Sequence, residues 1–128
     1  MSTAPVSPFS GHMGFEVVER DDGASAVECL LVAQHANTRG VAHGGVVSAL
    51  IDMACGVAVA YQPAFGGRGA VTVSMTVNFL HPAQIGDRLR AVGRRRGTSR
   101  RVVACEAEVT NQDGVTIAIG VATLRVDG

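Results

Sequence analysis

A single carboxylate, Asp52, stands in GVAHGGVVSALIDMACGVAVAY, Gly40 to Tyr61, a stretch otherwise almost wholly apolar. An ionised acid taken out of water without a partner is costly, so this position needs donors from elsewhere in the fold or an opening onto a cleft. A carboxylate placed this way can act as a general base on water or as a nucleophile. The bland alternative is a structural acid held by backbone or hydroxyl donors. Upstream, His43-Gly44-Gly45 occupies the point where the stretch would begin as a helix. The first N–H groups of a helix are unpaired and its dipole favours negative charge, so such an entry can receive a developing oxyanion, and glycines let a bulky group approach the backbone. A helix entry made merely of flexible residues would read the same way.

Both groups depend on the helix. From Gly44 onward Val46, Val47, Ala49, Leu50, Ile51, Met53, Ala54, Val57, Ala58 and Val59 cover every helical face, the pattern of a buried helix. Steps of four from Gly44 reach Ser48, Asp52 and Gly56, which puts the small and polar residues on one narrow stripe. At about 1.5 Å of rise per residue, Gly44 and Asp52 are about 12 Å apart, whereas reacting atoms must approach to about 3 to 3.5 Å. One chain cannot bring both to one carbonyl. If both act, the acid comes from a second copy whose helix runs antiparallel, and a two-fold axis makes two identical sites.

Around the helix the chain reads as strands. GFEVVER and ASAVECLLVA flank Asp21-Asp22-Gly23, a hairpin signal. QHANTRGVA reads as a loop, and FGGRGA, past Gln62-Pro63, as a second. VTVSMTVNFL sets Val71, Val73, Met75, Val77 and Phe79 against Thr72, Ser74, Thr76 and Asn78 with a period of two. DRLRAVGRRR, RRVVACEAEVT and VTIAIGVATLRV follow, with turns expected at Gly97-Thr98-Ser99 and at Asn111 to Gly114. This order predicts an α+β domain, residues 1–128, in which an antiparallel sheet curls around one long central helix or a second subunit covers what the sheet leaves bare. Residues 1–12, with Pro5, Pro8 and three serines, are expected to form a loose arm.

Acidic and basic residues balance at 11 each, so no bulk charge draws the chain to nucleic acid or an anionic membrane. With four Phe, one Tyr and no Trp there is also little aromatic surface for stacking bases. Cys29, Cys55 and Cys105 are odd in number and lie far apart in apolar segments, unlike a disulfide framework or a zinc set, and fit a reducing cytoplasm. The four histidines lack ligand spacing; no metal and no cofactor is expected. The N-terminus has neither a basic start nor an apolar core, and no apolar run approaches the roughly 18 residues of a membrane span.

NTRGVAHGGVVSALIDMACGVA followed by VTVSMTVNFLHPAQIGDRLRA resembles the hotdog-fold thioesterases of the phenylacetate-pathway, PaaI-like branch, over about Phe15 to Leu124. The resemblance implies a hotdog fold and an acyl-CoA thioesterase working as a homodimer, or as a homotetramer built as a dimer of dimers. It implies Asp52 as catalytic acid, Gly44 as the backbone N–H that meets the thioester oxygen, Asn37 as a polar contact positioning the reacting groups, His43 as the motif histidine, and Thr72 where this branch often has a hydroxyl. His81 stands where the family is variable and often basic, and is expected at the substrate. In RRRGTSRR, Arg96 and Arg100 belong to a guanidinium cluster suited to the phosphates of coenzyme A, or equally to a solvated hairpin tip, and strand alternation points some of its members away from any single ligand. Met53, Tyr61, Phe65 and Phe79 are the candidates to line an aryl or medium-chain pocket. A noncatalytic acyl-CoA binder would keep the groove without needing the acid. A hotdog dehydratase or hydratase would need a second acid/base set that is not evident.

Overall fold

The computed structural model describes residues 7–60 and 69–126. Strands β1 (Glu16–Asp21) and β2 (Ala24–Leu30) form the expected hairpin, and Gly23 takes the positive φ of 75° that its turn requires. A single 3₁₀ turn, Ala33–His35, and a loop lead into the long helix Gly44–Ala60. Four strands follow: β3 (Ala70–Phe79), β4 (Arg88–Ser99), β5 (Val102–Thr110) and β6 (Thr116–Val126). All pairings are antiparallel, in the order β1-β2-β4-β5-β6-β3, so β3 is an edge strand.

The sheet curls around the helix because alternate side chains demand it. On β5, Val103, Cys105, Ala107 and Val109 are buried while Val102, Ala104, Glu106 and Glu108 face out. They meet Leu50, Ile51, Ala54, Cys55, Ala58 and Val59 of the helix in one core. Close approach is built in where the helix lies on β2 and β4: a Cβ on Gly93 would fall 2.5 Å from the Ala54 carbonyl oxygen, and that same oxygen accepts a 2.6 Å hydrogen bond from the buried Ser25 hydroxyl. One side of the helix stays half-open, carrying Ser48, Ala49, Asp52, Met53 and Gly56. The sheet therefore covers most of an all-apolar helix and leaves its small and polar stripe uncovered.

Three details depart from the sequence reading. Within the expected loose arm, Pro8–Met13 is a helix, numbered α1, which makes the long helix α2. Ser7 and Ser10 cap it reciprocally, Pro8 starts it, and Gly14 ends it at φ 74°. The turn expected at Gly97-Thr98-Ser99 lies at Arg100-Arg101 instead, because a bulge between Arg95 and Gly97 carries β4 further, and Arg100 takes φ 52°. On β3 a register shift between Thr72 and Ser74 breaks the period-two pattern, so Thr72, Met75, Val77 and Phe79 share a face with their partners Leu124, Ala122, Gly120 and Ala118, while Val71 and Val73 face out. The FGGRGA loop lies largely outside the described residues.

Candidate active site

Asp52 projects from the half-open face of α2, half-buried, and its Oδ1 accepts a 2.6 Å hydrogen bond from Thr72 Oγ1. The bulge after Thr72 makes this possible by turning that hydroxyl towards the helix. Among the described residues no partner takes Oδ2. Beside the pair opens a cavity of about 390 Å³ whose walls include Phe9, Phe15, Met53, Gly56, Val57 and Leu124. The acid thus has one hydroxyl donor and an opening, which offset the cost of placing a charge in apolar surroundings. An apolar cavity with a few convergent polar groups is the usual form of a small-molecule site.

The helix entry forms a second cluster. His43 acts as N-cap: its Nδ1 accepts a 2.8 Å hydrogen bond from the Gly45 N–H, which places the ring proton on Nε2, and its carbonyl oxygen accepts from Val46 N–H at 3.0 Å. The Gly44 N–H is left with no partner among the described residues. Phe79 lies against Gly44, with its ring edge 3.4 Å from where a Cβ would stand. Asn37 shapes the approach to the helix: its Oδ1 accepts from the N–H groups of Arg39 at 2.9 Å and Val41 at 3.3 Å, and Gly40 completes the turn at φ 81°. Asn37, His43 and Gly44 therefore belong to one local unit, while Asp52 and Thr72 belong to another, two turns along the same helix.

The expected substrate residues do not gather around either unit. His81 sits beyond the Phe79 end of β3, where its Nδ1 donates to the Thr116 carbonyl oxygen at 3.3 Å. Arg100 is at the other end of the sheet, exposed in the β4–β5 turn. Arg96 points to the outer face of the sheet and pairs with Glu106 at 3.0 Å. Arg95, one residue earlier, faces the helix side and reaches Asp22 at 3.2 Å. The arginine run is thus divided between two faces, as strand alternation requires. Of the expected acyl-pocket residues, Met53 lines the cavity and Phe79 covers Gly44 instead, while Tyr61 and Phe65 lie outside the described residues.

The model of the thioesterase superfamily matches residues 39–118, spanning both the helix entry and Asp52. This chain belongs to the thioesterase superfamily. Acyl-coenzyme A thioesterase PaaI of Escherichia coli strain K12 is 30% identical over 107 residues, which cover 84% of this chain and 74% of that protein. The structure of the E. coli PaaI protein from the phenylacetic acid degradation operon superposes with a TM-score of 0.89 at 27% identity, covering 95% of this chain and 86% of that one. The structure of smu.793 from Streptococcus mutans UA159 bound to acetyl CoA gives a TM-score of 0.81 at 31% identity, covering 89% of each chain. The curled antiparallel sheet and long helix are the hotdog fold of these thioesterases, and the PaaI-like resemblance holds over most of the chain.

Two parts of this candidate site escaped the sequence reading. Helix α1 supplies a cavity wall, although its serines and prolines suggested a loose arm; the Ser7–Ser10 capping pair with Pro8 was the available signal. His35, 2% exposed, joins the clusters structurally: Nε2 donates to the Met13 carbonyl at the end of α1 at 2.8 Å, Nδ1 accepts from Val32 N–H at 2.9 Å, and its carbonyl oxygen accepts from His43 N–H at 2.8 Å. Both of its ring nitrogens are engaged. Nothing in QHANTRG announces that role.

Proposed function

We propose that this thioesterase hydrolyses an aryl- or medium-chain acyl-CoA to the free acid and CoA, in a reducing cytoplasm, with Asp52 attacking the thioester carbonyl or taking a proton from the attacking water. Either route places negative charge on the carbonyl oxygen as the tetrahedral intermediate forms. The Gly44 N–H at the start of α2 meets it, and His43, by occupying Gly45 N–H, leaves the Gly44 N–H free. Thr72 holds the Asp52 carboxylate in one orientation. Collapse of the intermediate breaks the C–S bond. In the water route it yields the free acid, and the CoA thiolate takes up the proton that Asp52 received from the water. In the nucleophile route it leaves a mixed anhydride on Asp52, which water hydrolyses to the free acid and the restored carboxylate, a proton of that water going to the thiolate. The observation that carries this reading is the Asp52–Thr72 hydrogen bond at the edge of an apolar cavity.

The active site is shared in a homodimer, two of which build a tetramer. Edge strand β3 carries Thr72, which touches Asp52, near one end and Phe79, which touches Gly44, at the other. Among the described residues its outer edge has no neighbouring strand, and Val71, Val73, Phe79 and Leu80 beside it are 53–62% exposed. Antiparallel pairing of β3 with a second copy across a two-fold axis would bring the Asp52 end of one chain to the Gly44 end of the other. The same operation brings the Arg100 end of one sheet towards the His81 end of its partner, where both would meet the CoA moiety, with Arg96 adding charge at the rim.

Asp52→Asn keeps the volume and removes the base, so the folded variant should lose roughly 10² to 10⁴ in kcat. Thiol release from aryl, short, medium and long acyl-CoAs measures it. Near-normal turnover by a folded Asp52→Asn protein would sink the hydrolase reading and leave a binder.

A further inference from the structure

The cavity beside Asp52 has a wall that the chemistry does not use. On α2, one turn beyond the acid and about 6 Å along the axis, stands Gly56, where a Cβ would meet nothing within 4 Å among the described residues. Gly56 lines the cavity. Glycine in a helix interior lowers stability relative to alanine, and no close backbone approach or positive φ requires it here. From α1 comes Phe9, 57% exposed, stacked edge-on against the buried Phe15 with ring centroids 6.2 Å apart and planes at 84°. Helix α1 is fixed independently of that ring, by the Ser7–Ser10 cap at one end and by His35 on the Met13 carbonyl at the other.

We infer that Gly56 and Phe9 set the size of the acyl group this protein accepts, Gly56 by leaving the α2 wall without a side chain and Phe9 by closing the α1 side. This rests on the acyl-CoA reading above for its ligand. The two residues act in opposite directions: adding atoms at Gly56 shrinks the space, and removing the ring of Phe9 extends it. A single methylene in an apolar pocket is worth roughly 10- to 200-fold in discrimination. Gly56→Ala should therefore lower kcat/KM for the largest accepted acyl group, relative to the smallest, by about tenfold. Gly56→Leu should move the whole optimum to shorter chains. Phe9→Ala should raise kcat/KM for acyl groups just beyond the wild-type limit by about tenfold relative to the smallest.

The experiment pairs a hydrolysis series, from acetyl- to dodecanoyl-CoA with phenylacetyl-CoA, with calorimetric affinities for the matching S-alkyl-CoA thioethers, which cannot be cleaved. Melting temperatures accompany both; Gly56→Ala should melt higher than wild type, so weaker binding by that variant cannot come from unfolding. Opposite shifts of the size profile in the Gly56 and Phe9 variants support the inference. Identical profiles in all variants overturn it. If wild type cleaves no thioester, the hydrolase reading fails by itself, and the thioether affinities still decide whether these two residues measure the chain.

Discussion

Mixing two inactive proteins should restore activity. The perturbations are Asn37→Ala, which removes the acceptor for the Arg39 and Val41 N–H groups, and Asp52→Asn, which removes the acid. Asn37 acts on the helix entry that presents Gly44, and losing its turn shifts that entry; a misplacement on the order of 1 Å costs roughly 10²-fold in rate. Both parents should therefore retain only about a hundredth of wild-type turnover or less. Eight residues of α2 put about 12 Å between Gly44 and Asp52, so neither parent can be repaired within its own chain. In a mixed dimer one site inherits both defects, and the other joins an intact Asn37 unit from one chain to an intact Asp52 from its partner. Random exchange makes half of the dimers mixed, so activity should recover to about a quarter of wild type for independent sites under two-fold symmetry. The assay is thiol release after reversible dissociation and remixing, with exchange confirmed by native mass spectrometry. Confirmed exchange without recovery would refute the placement of Asp52 and Gly44 in one site across the interface.

Two further outcomes follow from the packing. Gly93→Ala places a methyl 2.5 Å from the Ala54 carbonyl oxygen, where helix and sheet backbones both resist movement, so it should destabilise by about 1–3 kcal/mol or more in chemical denaturation; an unchanged midpoint would show that α2 lies further from β4 than the structure has it. Burial pushes the Cys29 thiol up to about 11, with Arg88 opposing, so the folded state prefers the neutral thiol. Its contribution is complete below the unfolded value near 9 and is lost as pH rises through about 11; denaturation series across this range should show wild type losing more stability than Cys29→Ala, and parallel curves would contradict it.

The fold was legible because its signals are local. The alternation along β5, the turn at Asp22-Gly23 and the all-apolar α2 each follow from neighbours in sequence. The misses are where one residue inserted into a pattern changes everything downstream. The shift between Thr72 and Ser74 leaves the composition of β3 untouched, yet it decides that Thr72 faces the acid while Val71 and Val73 face out. The bulge after Arg95 likewise carries β4 further and moves the turn from Gly97-Thr98-Ser99 to Arg100-Arg101. The acid, the glycine entry and the polar loop could be read from residue type and spacing. Their division into two units, and the long-range links through His35 and Phe9, needed the chain folded, because no periodicity records contacts between distant segments.

An apolar residue in a helix can serve a core, a partner or a ligand, and hydropathy alone does not separate the three. On α2 the sheet-facing side is filled to contact: Leu50, Ile51, Ala54, Cys55, Ala58 and Val59 are fully buried. On the other side Ala49, Met53, Gly56 and Val57 border the same cavity as Asp52. Their apolar character there lowers the polarity around the acid and leaves open space beside it, which the proposed reading fills with an acyl group. The charge that looked misplaced among apolar residues thus lies on the boundary between two uses of one helix. A core helix needs no such stripe. Small residues leading one turn on from an acid in an all-apolar helix are therefore a reason to look for a ligand there, and on the reading proposed above the absence of a side chain at Gly56 belongs to the site as much as the carboxylate at Asp52.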